Sequence, residues 1–291
     1  MSERKALLPL RGETVALIGA GGLAQALAPA LLTAGAHVVI AARRPAAARA
    51  LARRVRTSAA LDATSAVEHA TLVILCVPDD ALAEVALALS RTSPGRGRAA
   101  LHASGFQGEG PLAPLARVGW KTGWLHPLLA LPRAAAARRF QGAWFATGSA
   151  MARRLVRALG GRELALRAGT KADYHLAATL VSNGSLALFE LARAHFERAA
   201  RKPRDARAAF AALLAATAAN LARTDPRAAL TGPVARGDLE SVRGHLACSR
   251  PGAERELYRA LGRTLLELAA PQLAPARRRA LSILFLSTKP R

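Results

Sequence analysis

"ETVALIGAGGLAQALAPALLTAGAHVVIAARRP", residues 13–45, decides the expected fold. An aliphatic run at 13–19 leads into a glycine cluster, and helix-forming residues then continue to Gly35. A second aliphatic run begins at His37. The order strand, glycine turn, helix and strand within about 30 residues is the context in which a Gly-x-Gly-x-x-Gly/Ala turn binds a dinucleotide. We therefore predict a phosphate-binding turn here.

Each position of the predicted turn has a separate task. Gly19 permits the sharp exit from the strand, Gly21 leaves room for a pyrophosphate beside the backbone, and Ala24 is the small residue where helix meets strand. Amides at the helix N-terminus, together with the helix dipole, favour a bound phosphate. A glycine-rich turn without a ligand is the alternative. The predicted cofactor-binding residues of the turn are Gly19, Ala20, Gly21, Gly22, Leu23 and Ala24.

The residues after the second predicted strand indicate which dinucleotide binds. NAD-binding folds place an Asp or Glu there to accept hydrogen bonds from the ribose hydroxyls, whereas an Arg nearby accommodates a 2′-phosphate. This sequence has Arg43 and Arg44 at that point and no acid before Asp62. We therefore predict NADP(H) as the cofactor, with both arginines in its binding site.

Strand-like runs end near residue 168. Further strands are predicted at 71–80, 98–105, 119–128, 142–148 and 162–168. From residue 169 the sequence is typical of helices, and it begins with either one long, largely apolar helix or two joined helices that end near Pro203. We predict an α/β protein with a doubly wound, mostly parallel Rossmann sheet in 1–168 that binds NADP(H). An all-α domain for substrate binding and dimerisation follows in 169–291.

Polar residues at the ends of the predicted strands are candidate site residues. Open α/β sheets bind their ligands outside the carboxyl ends of the strands. The candidates are Val77, Pro78 and Asp79 beside the nicotinamide, and Ser104 and His126, with His102 near them, around the substrate. For His102, Ser104 and His126 the alternative is a loop residue that only satisfies the local backbone.

The first helix after residue 169 carries the predicted catalytic residues. At 100° per residue, Lys171, His175, Ala178 and Ser182 share one face of an otherwise apolar helix, and Asn183 lies at its edge. A Lys and a His four residues apart would hold a substrate carbonyl or imine and move its proton. The alternative is a solvated lysine and a core histidine. A helix this apolar belongs in a helical core or a dimer interface.

A stretch between helices, residues 229–246, supplies the remaining candidates. Thr231 and Gly232 belong to a turn whose amides and hydroxyl would face a ligand. Arg236 and Asp238 place two opposite charges close to that turn. Asp238 is also a suitable N-cap for the following helix, and the two roles are compatible.

The formal net charge of +23 raises the question of a polyanionic partner. Only five of the 42 basic residues are lysines, and the arginines are scattered among alanines, which is typical of a coding bias. The sequence has no zinc-finger spacing, RNA-binding aromatic motif or basic heptad array. We therefore do not expect nucleic acid to be the main partner. A polyanion-binding protein, with affinity that falls steeply with salt, stays as a third hypothesis.

The cysteine and histidine content argues against a disulfide framework or a metal site. Cys76 and Cys248 are far apart, and Cys76 falls in an aliphatic run typical of a buried residue. The seven histidines show no ligand spacing with carboxylates or thiols, so no metal is expected. No apolar run is long enough for a membrane span or a signal peptide. We expect a cytoplasmic protein with no membrane partner.

Several motifs together resemble a known family. They are "GAGGLA" at 19–24, "HASG" at 102–105, "HPL" at 126–128, "KADYHLAATLVSN" at 171–183 and "LTGPVARGD" at 230–238. The combination resembles the Rossmann-like proteins with a DUF2520 C-terminal domain, which are related to pyrroline-5-carboxylate reductases and to 6-phosphogluconate and β-hydroxyacid dehydrogenases. The resemblance covers nearly the whole chain. It implies an NADP-type Rossmann domain and a helical domain that commonly forms a homodimer.

One departure from the relatives concerns the catalytic residues. The β-hydroxyacid dehydrogenases have an Asn four positions after the Lys, whereas here Lys171 is followed at that spacing by His175, and the nearest Asn is Asn183. The resemblance therefore carries over Lys171 but not the Asn role by position. The turn at Thr231 and Gly232 resembles, in place, the substrate loop of pyrroline-5-carboxylate reductases.

These observations predict an NADPH-dependent reductase that acts on a small carbonyl or imine substrate. Lys171 would donate a proton or hydrogen bond to the substrate heteroatom, and His175 would hold or relay that proton. The runner-up hypothesis is a dinucleotide-binding protein that senses or scaffolds without turnover.

Overall fold

A computed structural model describes residues 8–93, 95, 97–131 and 140–286 of the chain. It divides into two compact units, residues 1–183 and 184–291. The boundary lies inside one long helix, whereas the predicted domain boundary at 168/169 lies just before that helix begins. Among the described residues, no helix is both long enough and apolar enough to cross a membrane.

The first unit is built on one eight-stranded sheet with the order β3-β2-β1-β4-β5-β6-β7-β8. The strands are β1 Thr14–Ile18, β2 His37–Ala41, β3 Ser58–Ala59, β4 Leu72–Leu75, β5 Ala99–His102, β6 Lys121–Pro127, β7 Trp144–Thr147 and β8 Arg162–Leu164. All neighbouring pairs are parallel except β6 and β7, which are antiparallel. The sheet thus starts from β1 and extends to both sides, which is the doubly wound arrangement that the sequence predicts.

Helices cover both faces of this sheet. They are α1 Gly22–Thr33, α2 Pro45–Val55, α3 Ala63–Val67, α4 Leu82–Thr92, α5 Ala113–Arg117 and α6 Ala150–Ala158. Apolar residues of α1, α2 and α6 pack with Val15 and Leu17 of β1 on one face. Those of α3, α4 and α5 pack with Ala16 and Ile18 on the other face. Because both faces are buried, the central strands are continuous aliphatic runs rather than alternating ones.

Helix α7 spans Lys171–Ala199 and crosses the boundary between the two units. The sequence left open one long helix or two joined helices, and the structure has one. The remaining helices are α8 Ala206–Leu221, α9 Pro226–Ala229, α10 Pro233–Arg236, α11 Leu239–Cys248, α12 Ala253–Ala269 and α13 Pro275–Leu286. In the second unit a small core forms around Val242, Leu266, Leu281 and Phe285.

The predicted strands all appear, each shorter than its aliphatic run. The two-residue strand β3 was not predicted, because Ser58 and Ala59 form neither an aliphatic run nor an alternating one. The two cysteines differ in environment, since Cys248 is exposed whereas Cys76 packs against the core beside β4. Burial raises the pKa of the Cys76 thiol to about 12.

Candidate active site

The glycine turn between β1 and α1 has the geometry that a bound pyrophosphate requires. Gly19 has φ +131°, and a Cβ at this position would lie 2.3 Å from the carbonyl oxygen of Cys76. Gly21 is the N-cap of α1, and a Cβ there would meet nothing within 4 Å. Gly19 is therefore required by the protein's own packing, whereas the open space at Gly21 lies beside the helix N-terminus, where a phosphate would bind.

The two arginines after β2 lie on the same side of the sheet as this turn, since β1 and β2 are parallel neighbours that both end there. Arg43 and Arg44 are exposed, and Arg44 is the N-cap of α2. Within the described part of the chain, neither guanidinium makes an ion pair or a hydrogen bond. Both are therefore available to an anion. The fit of the turn and of these arginines to NADP(H) is good.

Lys171 is buried although it is the first residue of a helix that is otherwise partly or fully exposed. Every residue of α7 is described, and Lys171 alone among them is classed as buried, at 8% exposed. Its Nζ donates a hydrogen bond to the Gln107 carbonyl oxygen and lies 3.8 Å from the centroid of the Trp124 ring. Burial lowers the pKa of Lys171 to about 8, and the Asp79 carboxylate partly opposes this shift by raising the pKa.

Strand β6 and helix α7 face each other through two matched sets of side chains. Trp124 and His126 are two residues apart on β6 and so point to the same face. Lys171, Tyr174 and His175 are at i, i+3 and i+4 on α7 and so share a face. Lys171 packs on Trp124, and a hydrogen bond of 2.7 Å joins Nδ1 of His126 to the Tyr174 hydroxyl.

Two histidines that were predicted separately, His126 and His175, both belong to this cluster. The His126 and His175 rings have centroids 6.2 Å apart, and His175 also contacts Phe106 edge-on at 6.1 Å. Burial, together with smaller effects of the neighbouring His175 and Lys171, lowers the pKa of His126 to about 4. His126 is therefore neutral at physiological pH. A Cβ at Gly105 would lie 2.5 Å from His175 and 2.9 Å from Nε2 of His126, so only glycine fits between the two rings.

Ser104 is oriented by three hydrogen bonds. Its hydroxyl donates to the Asp79 carboxylate at 2.6 Å and accepts from the amides of Phe106 and Gln107 at 3.1 and 2.8 Å. One donated and two accepted bonds are the full capacity of a hydroxyl. Ser104 thus connects the end of β4 to the loop whose Gln107 carbonyl holds Lys171. Its contact with substrate stays a prediction.

His102 anchors the other side of the same loop. Its Nε2 lies 2.7 Å from the Gly108 carbonyl oxygen, which can only accept, so Nε2 carries the proton. Its Nδ1 accepts from the Ser104 amide at 3.2 Å. Burial lowers the pKa of His102 to about 4, which keeps the ring neutral. The fully buried His102 is thus a structural residue of the loop between 102 and 108.

The other predicted site residues are on three further segments of the chain. Val77 and Pro78 come between β4 and Asp79, while Asn183 is exposed on α7, three turns beyond Lys171. The 231–238 turn belongs to the second unit, where Asp238 caps α11 by accepting from the Ser241 amide at 3.0 Å. Thr231 and Arg236 are exposed, and Gly232 has φ +95°. The N-cap role is confirmed for Asp238, and ligand roles for these residues stay predictions.

Sequence reasoning missed Trp124, Gln107 and Tyr174. Tyr174 carried a usable signal, because it is three residues after Lys171 and hence on the same helix face. Gln107 contributes only its backbone carbonyl, which every residue type has, so the sequence gives no signal for this role. No group of three or more His, Cys, Asp or Glu side chains in the described residues is arranged to hold a metal ion.

The fold and the glycine turn define a protein of the Rossmann class. Residues 14–97 match the family model described as NADP oxidoreductase coenzyme F420-dependent. More particularly, residues 143–265 match the model for DUF2520, a domain of unknown function. The resemblance stated from the sequence motifs is thereby confirmed. The DUF2520 match begins before β7, so it includes the last two strands as well as helices of the second unit. No curated protein matches the chain.

Solved structures confirm the fold. A candidate NADP oxidoreductase from Bacteroides fragilis has a TM-score of 0.72 at 23% identity, covering 89% of this chain and 99% of its own. A pyrroline-5-carboxylate reductase from Coxiella burnetii has a TM-score of 0.56 at 14% identity, covering 93% and 95%. A reductive aminase from Aspergillus terreus, in complex with NADPH and ethyl-5-oxohexanoate, has a TM-score of 0.58 at 19% identity, covering 94% and 92%.

Proposed function

We propose that the chain is an NADPH-dependent oxidoreductase that transfers a hydride between NADP(H) and a small carbonyl or imine substrate. The observation that carries the proposal is the buried Lys171 ammonium, held beside His126 and His175 at the carboxyl ends of β5 and β6. These strand ends are on the same side of the sheet as the glycine turn, because β1, β4, β5 and β6 are parallel.

The residues that would hold NADP(H) are those of the turn and the arginines after β2. The amides at the start of α1 would bind the pyrophosphate, and Arg43 and Arg44 would bind the 2′-phosphate. Val77, Pro78 and Asp79 follow β4 and would line the nicotinamide side. The chemistry that NADPH supplies when bound is a hydride.

The chain's own contribution is to orient the substrate and to supply a proton. Lys171 Nζ has one N–H bonded to the Gln107 carbonyl, which leaves two for a substrate heteroatom. The Trp124 ring stabilises the ammonium form through its π-face. His175 lies one turn further along α7 and would hold or relay the proton, with Asn183 as a further polar residue on that helix.

The names of proteins that share the fold support this class of reaction. They include reductive aminases, an imine reductase from Streptomyces aurantiacus and pyrroline-5-carboxylate reductases. These names refer to reductive amination, to an imine and to a pyrroline. The exposed Arg43 and Arg44 and the match of residues 14–97 to an NADP oxidoreductase model support NADP(H) as the cofactor.

The proposal is tested first by nucleotide binding and then by turnover. We expect NADPH to raise the Tm of the purified protein more than NADH does at moderate salt, and we expect NADPH oxidation with at least one member of a panel of carbonyl and imine substrates. Tight NADPH binding with no oxidation across the panel would favour the dinucleotide-binding protein without turnover. Absence of binding by either nucleotide would overturn both hypotheses.

Removal of the two arginines is expected to abolish the preference for NADPH. In a protein with Arg43→Ala and Arg44→Ala, the Kd for NADPH should rise about 10-fold or more, because charge-assisted hydrogen bonds to the 2′-phosphate are lost. The Kd for NADH should stay within about twofold, since NADH lacks that phosphate. Isothermal titration with both nucleotides measures the change. Equal weakening for NADPH and NADH would contradict the assignment.

The ionisation of Lys171 predicts how activity depends on pH. Its pKa of about 8 means that the ammonium donor is lost as pH rises through 8, so kcat/KM should fall above that pH. The Asp79 carboxylate raises this pKa, so Asp79→Asn should move the alkaline fall to lower pH. Asn still accepts a hydrogen bond from Ser104. Normalised pH profiles of both proteins provide the test, and coinciding profiles would contradict the role of Lys171.

We propose further that the protein is a homodimer formed through α7 and α8. Large apolar side chains on these helices are exposed in the single chain: Leu176, Leu180, Leu186, Leu188, Leu213, Leu214 and Leu221. An apolar surface of this kind is typical of an obligate interface. These leucines of α7 are therefore not buried within the single chain. We expect a second copy of the chain to bury them.

A charge on this apolar surface is expected to prevent assembly. Leu186 is 70% exposed, so Leu186→Glu should convert a dimer into a monomer in light scattering while the single chain still folds. Leu61 is 72% exposed and belongs to neither helix, so Leu61→Glu is the matched control and should stay dimeric. A monomeric wild-type protein would disprove the homodimer.

A further inference from the structure

The His126–Tyr174 pair raises the question of which group carries the shared proton. The two are joined at 2.7 Å between Nδ1 and the phenol oxygen, with the rings nearly perpendicular. A neutral imidazole has one donor and one acceptor nitrogen, and a phenol can donate one hydrogen bond. Two arrangements are therefore possible, and they place the imidazole proton on different nitrogens.

The two arrangements differ in how many polar groups they satisfy. If Nδ1–H donates to Tyr174, the phenol proton needs another acceptor, and the described residues provide none. If Tyr174 donates to Nδ1, its only proton is used and His126 carries its own proton on Nε2. The first arrangement leaves both the phenol O–H and the Nε2 acceptor without a described partner, whereas the second leaves only the Nε2–H of His126, which favours the second arrangement.

We propose that Tyr174 is a positioning residue that holds His126 as a neutral Nε2–H donor facing the substrate heteroatom. The inference rests on the proposed function for the identity of that heteroatom, but not for the position of the proton. Lys171 on α7 and His126 on β6 would then both donate a hydrogen bond to the reacting substrate.

The space beside Nε2 is consistent with a donor that faces a ligand. Among the described residues, Nε2 of His126 has no hydrogen-bond partner. The absence of a side chain at Gly105 keeps its surroundings open, since a Cβ there would lie 2.9 Å from Nε2. His175 borders the same space.

The ionisation of the pair is consistent with this assignment. Burial is the main cause that lowers the pKa of His126 to about 4 and raises that of Tyr174 to about 12. Both groups are therefore neutral over the range in which the enzyme would work. A neutral imidazole can donate to a substrate beside the Lys171 ammonium without charge repulsion.

The direct test is the tautomer of His126, measured by ¹⁵N NMR of histidine-labelled protein. We expect the Nε2–H tautomer in the wild type, and a mixture of both tautomers after Tyr174→Phe, which removes only the hydroxyl. The chain offers a matched control, because His245 and Tyr258 form a similar pair at 2.8 Å in the second unit. Tyr258→Phe should leave the His126 signals unchanged. An Nδ1–H tautomer in the wild type would overturn the proposal.

A double-mutant cycle tests whether Tyr174 acts through His126. Tyr174→Phe should lower kcat by about tenfold, because the Nε2–H donor of His126 is no longer held in line with the reacting atom. The Kd for NADPH should stay unchanged. His126→Gln replaces the imidazole by an amide N–H that does not depend on Tyr174. In this background Tyr174→Phe should have no further effect, and additive losses would overturn the coupling. The NMR test needs no substrate, so its outcome is independent of whether the proposed reduction occurs.

Discussion

Lys171→Met is expected to lower kcat/KM by about 100-fold or more, with the Kd for NADPH within about twofold of the wild-type value. Methionine keeps an unbranched chain that can pack on Trp124, but it provides no N–H to the substrate. A positioned proton donor contributes about 10²–10⁴-fold to rate. Because burial of the ammonium is itself unfavourable, the variant should be as stable as the wild type or more stable. Steady-state kinetics, NADPH titration and thermal unfolding measure the three effects.

The matched control for this variant is another lysine of the same domain. Lys121 begins β6 and is exposed, so Lys121→Met should keep wild-type kinetics. Unchanged turnover in Lys171→Met would show that Lys171 is not the proton donor. An equal loss of turnover and NADPH affinity would point instead to a cofactor-binding role.

Gly21→Ala is expected to weaken NADPH binding by 10-fold or more without lowering the Tm of the nucleotide-free protein. The backbone at Gly21 has φ −73°, which alanine adopts without strain, and its Cβ would meet nothing within 4 Å in the protein. The same methyl group would occupy the space that the pyrophosphate needs beside the backbone. Thermal unfolding and NADPH titration on the same sample separate the two effects.

Gly19→Ala gives the opposite combination and so serves as the comparison. A methyl group at Gly19 would meet the Cys76 carbonyl at 2.3 Å, and φ +131° is strained for any other residue by about 1–3 kcal/mol. The Tm of this variant should be lower than that of the wild type even in the absence of nucleotide. If Gly21→Ala binds NADPH as the wild type does, the turn does not contact the pyrophosphate.

The fold could be predicted from the sequence because its signals are local. The run before Gly19 is continuous and aliphatic because β1 is covered on both faces, and the glycine turn must follow such a strand. The two-residue strand β3 left no comparable signal, since Ser58 and Ala59 pair with β2 only through the backbone. The boundary of the compact units inside α7 also has no local signal, because the helix is continuous there.

The candidate site was only partly predictable because its contacts are distant in sequence. Lys171 and His175 were found by their spacing on one helix. The burial of Lys171 depends on Trp124 and on a backbone carbonyl at Gln107, 64 residues earlier. Ser104 was predicted as a substrate-site residue, but the hydrogen bonds of its hydroxyl to Asp79 and to two amides of its own loop could not be predicted from the sequence. Such bonding is set by tertiary geometry and not by residue type.

The contrast between the two cysteines makes the protein suitable for attachment of a single reporter group. Thiol-reactive dyes require the thiolate, and the raised pKa of the packed Cys76 thiol keeps it protonated, whereas Cys248 at the end of α11 is exposed. A maleimide dye should therefore label one defined position in the helical unit. A fluorophore can therefore be placed there without any engineered cysteine.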